Sequence, residues 1–138
     1  MIDTVLVPFD GTEQAEAAVE YVRAVFPDRT VHLVTAIDPV DGFAAYDGPE
    51  GDNWRAEAEA TAQRLLDEQR ATFGPGATVE CSVVVGGPVA VVVEAVADHD
   101  VDQVVVGSHG RSGIQRALLG SVAEQVARSV AVPTTIVH

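Results

Sequence analysis

The 138-residue chain is 47% apolar and carries 21 acidic residues against eight basic ones, all arginine, for a net charge of −13. That size and apolar content suit one domain with a real core, and the acidity argues against non-specific nucleic-acid binding, which needs a basic surface. The absence of lysine excludes a Walker A loop and a Schiff-base pyridoxal phosphate site, and a single cysteine, Cys81, excludes an internal disulfide.

Thr4 to Pro8 is an apolar run that reads as a first strand. The residues ahead of it lack the basic segment of a signal peptide, and no apolar stretch is long enough to span a membrane, so the chain is expected in the cytoplasm. Asp10-x-x-Glu13 follows, readable either as a helix cap or as a ribose or metal contact. The helix after it sets Ala15, Ala18, Val19, Val22 and Phe26 at helical spacing. Val31 to Ile37 forms the second strand. The stretch 38–52, rich in Gly, Pro and Asp, reads as a lid or a mobile connection.

A second helix is expected from about Asn53 to Phe73, with Trp54, Ala58, Leu65 and Phe73 on one side. Val79 to Val85 is the third strand, in which Cys81 reads as a small core hydrophobe. Pro88 opens a third helix as a first-turn proline, with Val89, Val92, Val93 and Val96 as its apolar face. Val104 to Val106 is a fourth strand. Ser121 opens the last helix with the capping-box spacing Ser121-x-x-Glu124, and Pro133 to Val137 ends the chain as a fifth strand. Most strands are apolar at consecutive positions, the mark of a parallel sheet covered by helices on both faces. The four histidines, His32, His99, His109 and His138, show no metal-ligand spacing, and no G-x-S-x-G elbow occurs.

The most informative stretch joins the fourth strand to the last helix. Gly107-x2-Gly110-x9-Gly120-Ser121 places bare backbone between a buried strand and a helix N-terminus, an arrangement that seats phosphate. From Gln103 to Ala123 there is no Asp or Glu, while His109, Arg111 and Arg116 all fall there, so the local field suits an anion. Each residue has a structural rival: Gly120 as a packing relief, Ser121 as a cap, the arginines as solvated surface, and His109 as a loop hydrogen-bonder. In an open α/β sheet the ligand sits beyond the carboxyl ends of the strands where strand order reverses. Neighbouring first and fourth strands would bring three loops to one crevice.

The segment VVVGSHGRSGIQRALLGSVAEQVARSVAVPTTIV, from Val104 to Val137, resembles the C-terminal half of the universal stress protein family, and VLVPFDGTEQAEAAV resembles its first strand and helix. The resemblance covers residues 1–138 as one domain. It implies an open parallel α/β sheet of five strands in the order 3-2-1-4-5, a homodimer through Pro133 to Val137, and bound ATP, AMP or ADP. Pro8, Phe9 and Asp10 would line the nucleoside end, with Asp10 toward the ribose or Mg²⁺, and Ala36 would offer its backbone to adenine. Gly107, His109, Gly110, Gly120, Ser121 and Val122 would surround the phosphates, with Val106 and Arg111 completing the set. The function implied is a nucleotide-binding regulatory protein of the stress response that signals to a protein partner. Its rivals are a slow Mg²⁺-dependent ATPase and a partner-binding dimer with no need of nucleotide. The acidic, lysine-free composition resembles proteins of salt-accumulating microbes and points to a halophilic archaeon.

Overall fold

Val5, Leu6 and Val7 are consecutive in one strand, yet none has any solvent exposure, which requires a sheet covered on both faces. The computed structural model describes residues 2–39, 53–108 and 121–138. Its elements are β1 (Thr4–Pro8), α1 (Glu13–Val25), β2 (Thr30–Ile37), α2 (Asn53–Arg70), β3 (Thr78–Val85), α3 (Pro88–Asp98), β4 (Gln103–Gly107), α4 (Ser121–Ser129) and β5 (Thr134–Val137). All strand pairs are parallel and the sheet order is β3-β2-β1-β4-β5, the order the resemblance implied.

Alternate residues of each strand feed two cores. Val5, Val7, Phe9, Val31, Leu33 and Val105 pack under α1 and α2 with Ala15, Ala18, Val19, Val22 and Leu66. Leu6, Val34 and Val104 pack on the other face against Val91, Val92 and Ala95 of α3 and Val126 of α4. The face read for α1 is the buried one.

Two other faces differ from the reading. In α3 the buried residues are Val91, Val92 and Ala95, with Val89 and Val96 at the margin, because valine stands at 89, 91, 92, 93 and 96 and leaves little contrast to read. In α2 the buried stripe is Ala62 and Leu66, flanked by Leu65. That helix ends at Arg70 rather than Phe73: Thr72 and Phe73 donate three residues back, to Gln69 and Arg70, so the chain tightens and turns Phe73 onto the core from beyond the helix end.

At the start of α1 the cap is Thr12, whose hydroxyl accepts from Ala15 N at 3.2 Å. Asp10 is therefore not the cap. It lies two residues earlier and its Oδ1 accepts from Thr12 N (3.1 Å) and Thr12 Oγ1 (2.6 Å), with Gly11 at φ +82° making the turn between them. Pro88 does occupy the first turn of α3. At the opposite end of the sheet, the Asp102 carboxylate accepts from the backbone N–H of Asp3 (2.9 Å) and Thr4 (3.0 Å), tying the start of β1 to the approach to β4. These two donors hold its carboxyl below the ordinary aspartate range.

Candidate functional site

β1 and β4 pair at Val5↔Gln103 and Leu6↔Val104 and no further. β1 nevertheless stays on β2 as far as Pro8, and β4 stays on β5 as far as Gly107. The ladder between the two central strands thus ends at Leu6, Pro8 having no N–H to give to it. From here β1 leads into α1 on one face of the sheet, while the helix that follows β4, α4, packs on the other. It is the switch point of the sheet, the place where open α/β folds bind ligands.

One wall of the crevice is the Asp10-Gly11-Thr12 turn with the N-terminus of α1. Phe9, just before it, contributes main chain: its N–H donates to Val34 O at 2.8 Å and its carbonyl accepts from Thr35 Oγ1 at 2.8 Å, while the ring is 3% exposed and lies in the core under α1 and α2. Pro8 is half-buried beside Val34. Ala36 pairs with Val84 and is partly buried against the α3 side. These four positions share the carboxyl ends of β1 and β2.

The other wall is the end of β4. Val106 and Gly107 are buried, and Ser108 is fastened to β5 by its N–H to Val137 O at 2.8 Å. A Cβ on Gly107 would lie 2.6 Å from the carbonyl oxygen and 2.7 Å from the carbonyl carbon of Gln14. Glycine is needed here because the first turn of α1 passes directly over the strand end. α4 opens at Ser121, and its first N–H groups carry the positive end of the helix dipole. The Val122 side chain packs, partly buried, on the α3 and α4 core. His109, Gly110, Arg111 and Gly120, with Arg116 and the stretch 40–52, lie outside the described residues.

Among the described residues, the carboxyl ends of β1 and β4 bring together main-chain groups, the Asp10 carboxylate and the N-terminal turn of α1. The sequence matches the Universal stress protein family over residues 1–138. The chain belongs to that family. Universal stress protein MJ0577 of Methanocaldococcus jannaschii is 29% identical over 154 residues, covering 99% of this chain and 95% of that protein. The solved structure of MJ0577 superposes with a TM-score of 0.87 at 27% identity, covering 99% and 96% of the two chains. A universal stress protein of Mycolicibacterium smegmatis is 33% identical over 137 residues, 97% of this chain but 45% of that longer protein. A universal stress protein solved in complex with cAMP has a TM-score of 0.69 at 29% identity, covering 99% and 97%.

Among the described residues of this family member, no helix is long and apolar enough to cross a membrane. Two features of the crevice escaped the sequence reading. Thr12 carries the cap that orients the Asp10 carboxylate, and Thr35 fixes the Phe9 carbonyl from the neighbouring strand. The first was accessible as a Thr immediately before the apolar period, and the second depends on sheet register and has no local signal. The histidines, which lack metal-ligand spacing in sequence, include two that the fold brings into ring contact, His32 and His99.

Proposed function

We propose that this universal stress protein binds an adenine nucleotide at the carboxyl ends of β1 and β4, and acts through it as a dimeric regulatory protein. The switch point between β1 and β4 supports the reading, because a Gly-rich sequence leaves β4 there and leads to the start of α4. The cAMP complex of a relative 29% identical to this chain supports an adenine ligand.

In this reading the nucleoside lies along Pro8, Phe9 and Asp10, with adenine against the Ala36 main chain. The phosphates take the acid-free segment from Val106 and Gly107 through His109, Gly110, Arg111 and Gly120 to Ser121 and Val122. Asp10 keeps Oδ1 on Thr12 and turns its other oxygen to the ribose or to Mg²⁺. Carboxylate and hydroxyl oxygens at Asp10 and Thr12 fit a hard cation, which when bound would offset phosphate charge. The dimer forms through β5, an edge strand whose residues are all partly exposed and whose one neighbour in the sheet is β4.

A thermal-shift titration with ATP, AMP, cAMP and GTP, in low salt and in molar KCl, tests the proposal. A nucleotide present at a hundred times its dissociation constant adds about 2.7 kcal/mol and raises the melting temperature by several degrees. Gly110→Val removes that rise. No shift with any of the four, in either salt, refutes nucleotide binding, and a monomer in light scattering with ATP present refutes the dimer.

A further inference from the structure

We infer that His32, Glu80 and His99 form a binding site for a borderline transition-metal cation, Zn²⁺ foremost, at the end of the sheet opposite the nucleotide crevice. The three come from separate elements. His32 and Glu80 are register partners near the starts of β2 and β3, on the face covered by α3 and α4. His99 is the C-cap residue of α3, its N–H bonded to Ala95 O. One ligand atom from each lies within 4.8 Å of the other two.

His32 is the fixed member. It is 3% exposed, and its Nε2 stands 2.9 Å from Ser82 Oγ, two residues beyond Glu80 on the same strand face. The other nitrogen, Nδ1, is buried without a hydrogen bond. Glu80 Oε1 lies 3.4 Å from it, close enough to feel charge but outside hydrogen-bond geometry. In the tautomer whose Nε2–H donates to Ser82, the lone pair of Nδ1 faces a carboxylate, an arrangement that is repulsive with nothing between the two. A cation between them turns that repulsion into two bonds. Metal-bound imidazoles characteristically donate their second N–H in just this way, which fixes the tautomer.

The spacing fits. Bonds of about 2.0–2.2 Å place the ligand atoms of a tetrahedral centre about 3.4 Å apart, the separation already present between Nδ1 and Oε1. The His99 ring lies on His32 with centroids 3.9 Å apart and planes tilted by 34°, so it must turn to direct a nitrogen at the ion. It is free to do so, being exposed at a helix end. Burial first, and repulsion by His99 second, hold the His32 imidazole below its ordinary pKa against the opposing pull of Glu80. The C-terminal end of α3 adds its negative dipole end. Two nitrogens and one carboxylate suit Zn²⁺, Co²⁺ or Ni²⁺ over Mg²⁺ or Ca²⁺, and three protein ligands leave a fourth position to water.

The test uses the chelator-treated full chain titrated with ZnCl₂ by calorimetry, and with CoCl₂ by visible absorption, in excess Mg²⁺ to occupy the acidic surface. One Zn²⁺ per chain is expected, with a visible Co²⁺ band that Zn²⁺ abolishes. His99→Ala and Glu80→Gln alter exposed residues, so each is expected to melt like wild type without metal yet to bind Zn²⁺ at least tenfold more weakly and lose the Co²⁺ band. His138→Ala leaves both signals intact. Zn²⁺ affinity unchanged in the His99→Ala/Glu80→Gln double variant, binding lost in His138→Ala, or Zn²⁺ displaced by the excess Mg²⁺ would each overturn the assignment.

Discussion

Gly107→Ala separates two reasons for a glycine at the end of β4 beside the proposed nucleotide site: room for a ligand, or room for the protein's own helix. The added Cβ lands 2.6 Å and 2.7 Å from Gln14 O and C and 2.9 Å from Gln14 Cβ. Favourable carbon contacts begin near ~3.5 Å, so strand and helix must separate by roughly 1 Å. Gln14 cannot yield by a rotamer change, because the nearest atoms are main chain in the first turn of α1. That turn is held by the Thr12 cap and by the buried Ala15 and Ala18. Overpacking costs about 1–3 kcal/mol, and a backbone clash belongs at the upper end, which in a chain of this length lowers the melting temperature by about 10 °C. Calorimetry or urea unfolding of the nucleotide-free protein measures it. Ligand-free melting within about 2 °C of wild type would show that α1 does not press on β4 as described, and that the glycine serves only the ligand.

The remaining predictions concern the same framework. Thr12→Ala removes the α1 cap and the partner of Asp10, with an expected loss of about 1 kcal/mol in urea unfolding that Thr12→Ser largely restores; an equal loss in both variants argues against the hydroxyl's role. Asp102→Ala lowers the melting temperature at neutral pH. The folded carboxyl binds its proton more weakly than the unfolded one, so its contribution is full above about pH 4 and fades as the pH falls through the lower folded value. The gap between wild type and Asp102→Ala therefore closes in acid. A gap that stays constant from pH 7 to pH 3 contradicts the ties to Asp3 and Thr4.

What the sequence disclosed follows from what each segment must satisfy locally. Strands buried on both faces have to be apolar at successive positions, so β1, β2 and β4 were legible within a residue or so at their ends. Helix faces were legible only where apolar and polar residues alternate sharply: α1 sets Glu13, Glu16 and Glu20 against its core residues, whereas α3 is valine-rich nearly all round and its buried face is decided by the sheet beneath it. Phe9 marks the same boundary at the site. A residue beside Asp10 at a strand end is equally consistent with a ligand wall and with a core anchor, and only the pleat, which turns its ring toward α1, decides. Gly107 announced itself as a glycine that matters, but the Gln14 main chain that demands it is reached only through the β1–β4 neighbour relation. The contact of His32 with Glu80 and His99 has no local trace, because register across β2 and β3 creates the first and the packing of α3 on the sheet creates the second.

Charge adds an orientation to the proposed site. The β1 side of the crevice is acidic, with Asp10 before α1 and Glu13 and Glu16 in its first turn, whereas no acid occurs from Gln103 to Ala123 on the β4 side. A polyphosphate approaching a chain of net charge −13 meets long-range repulsion from every direction, so its seat must be decided at short range. Molar salt cuts the screening length to about 3 Å, which removes the repulsion of distant carboxylates but leaves contacts with backbone N–H groups and a helix N-terminus. In the proposed complex the phosphates would therefore lie toward β4 and α4, and the ribose hydroxyls, which donate to carboxylates, toward Asp10. An inverted nucleotide would set phosphate beside Asp10 and Glu13 and leave the acid-free side to neutral groups, a pairing unfavourable at either ionic strength.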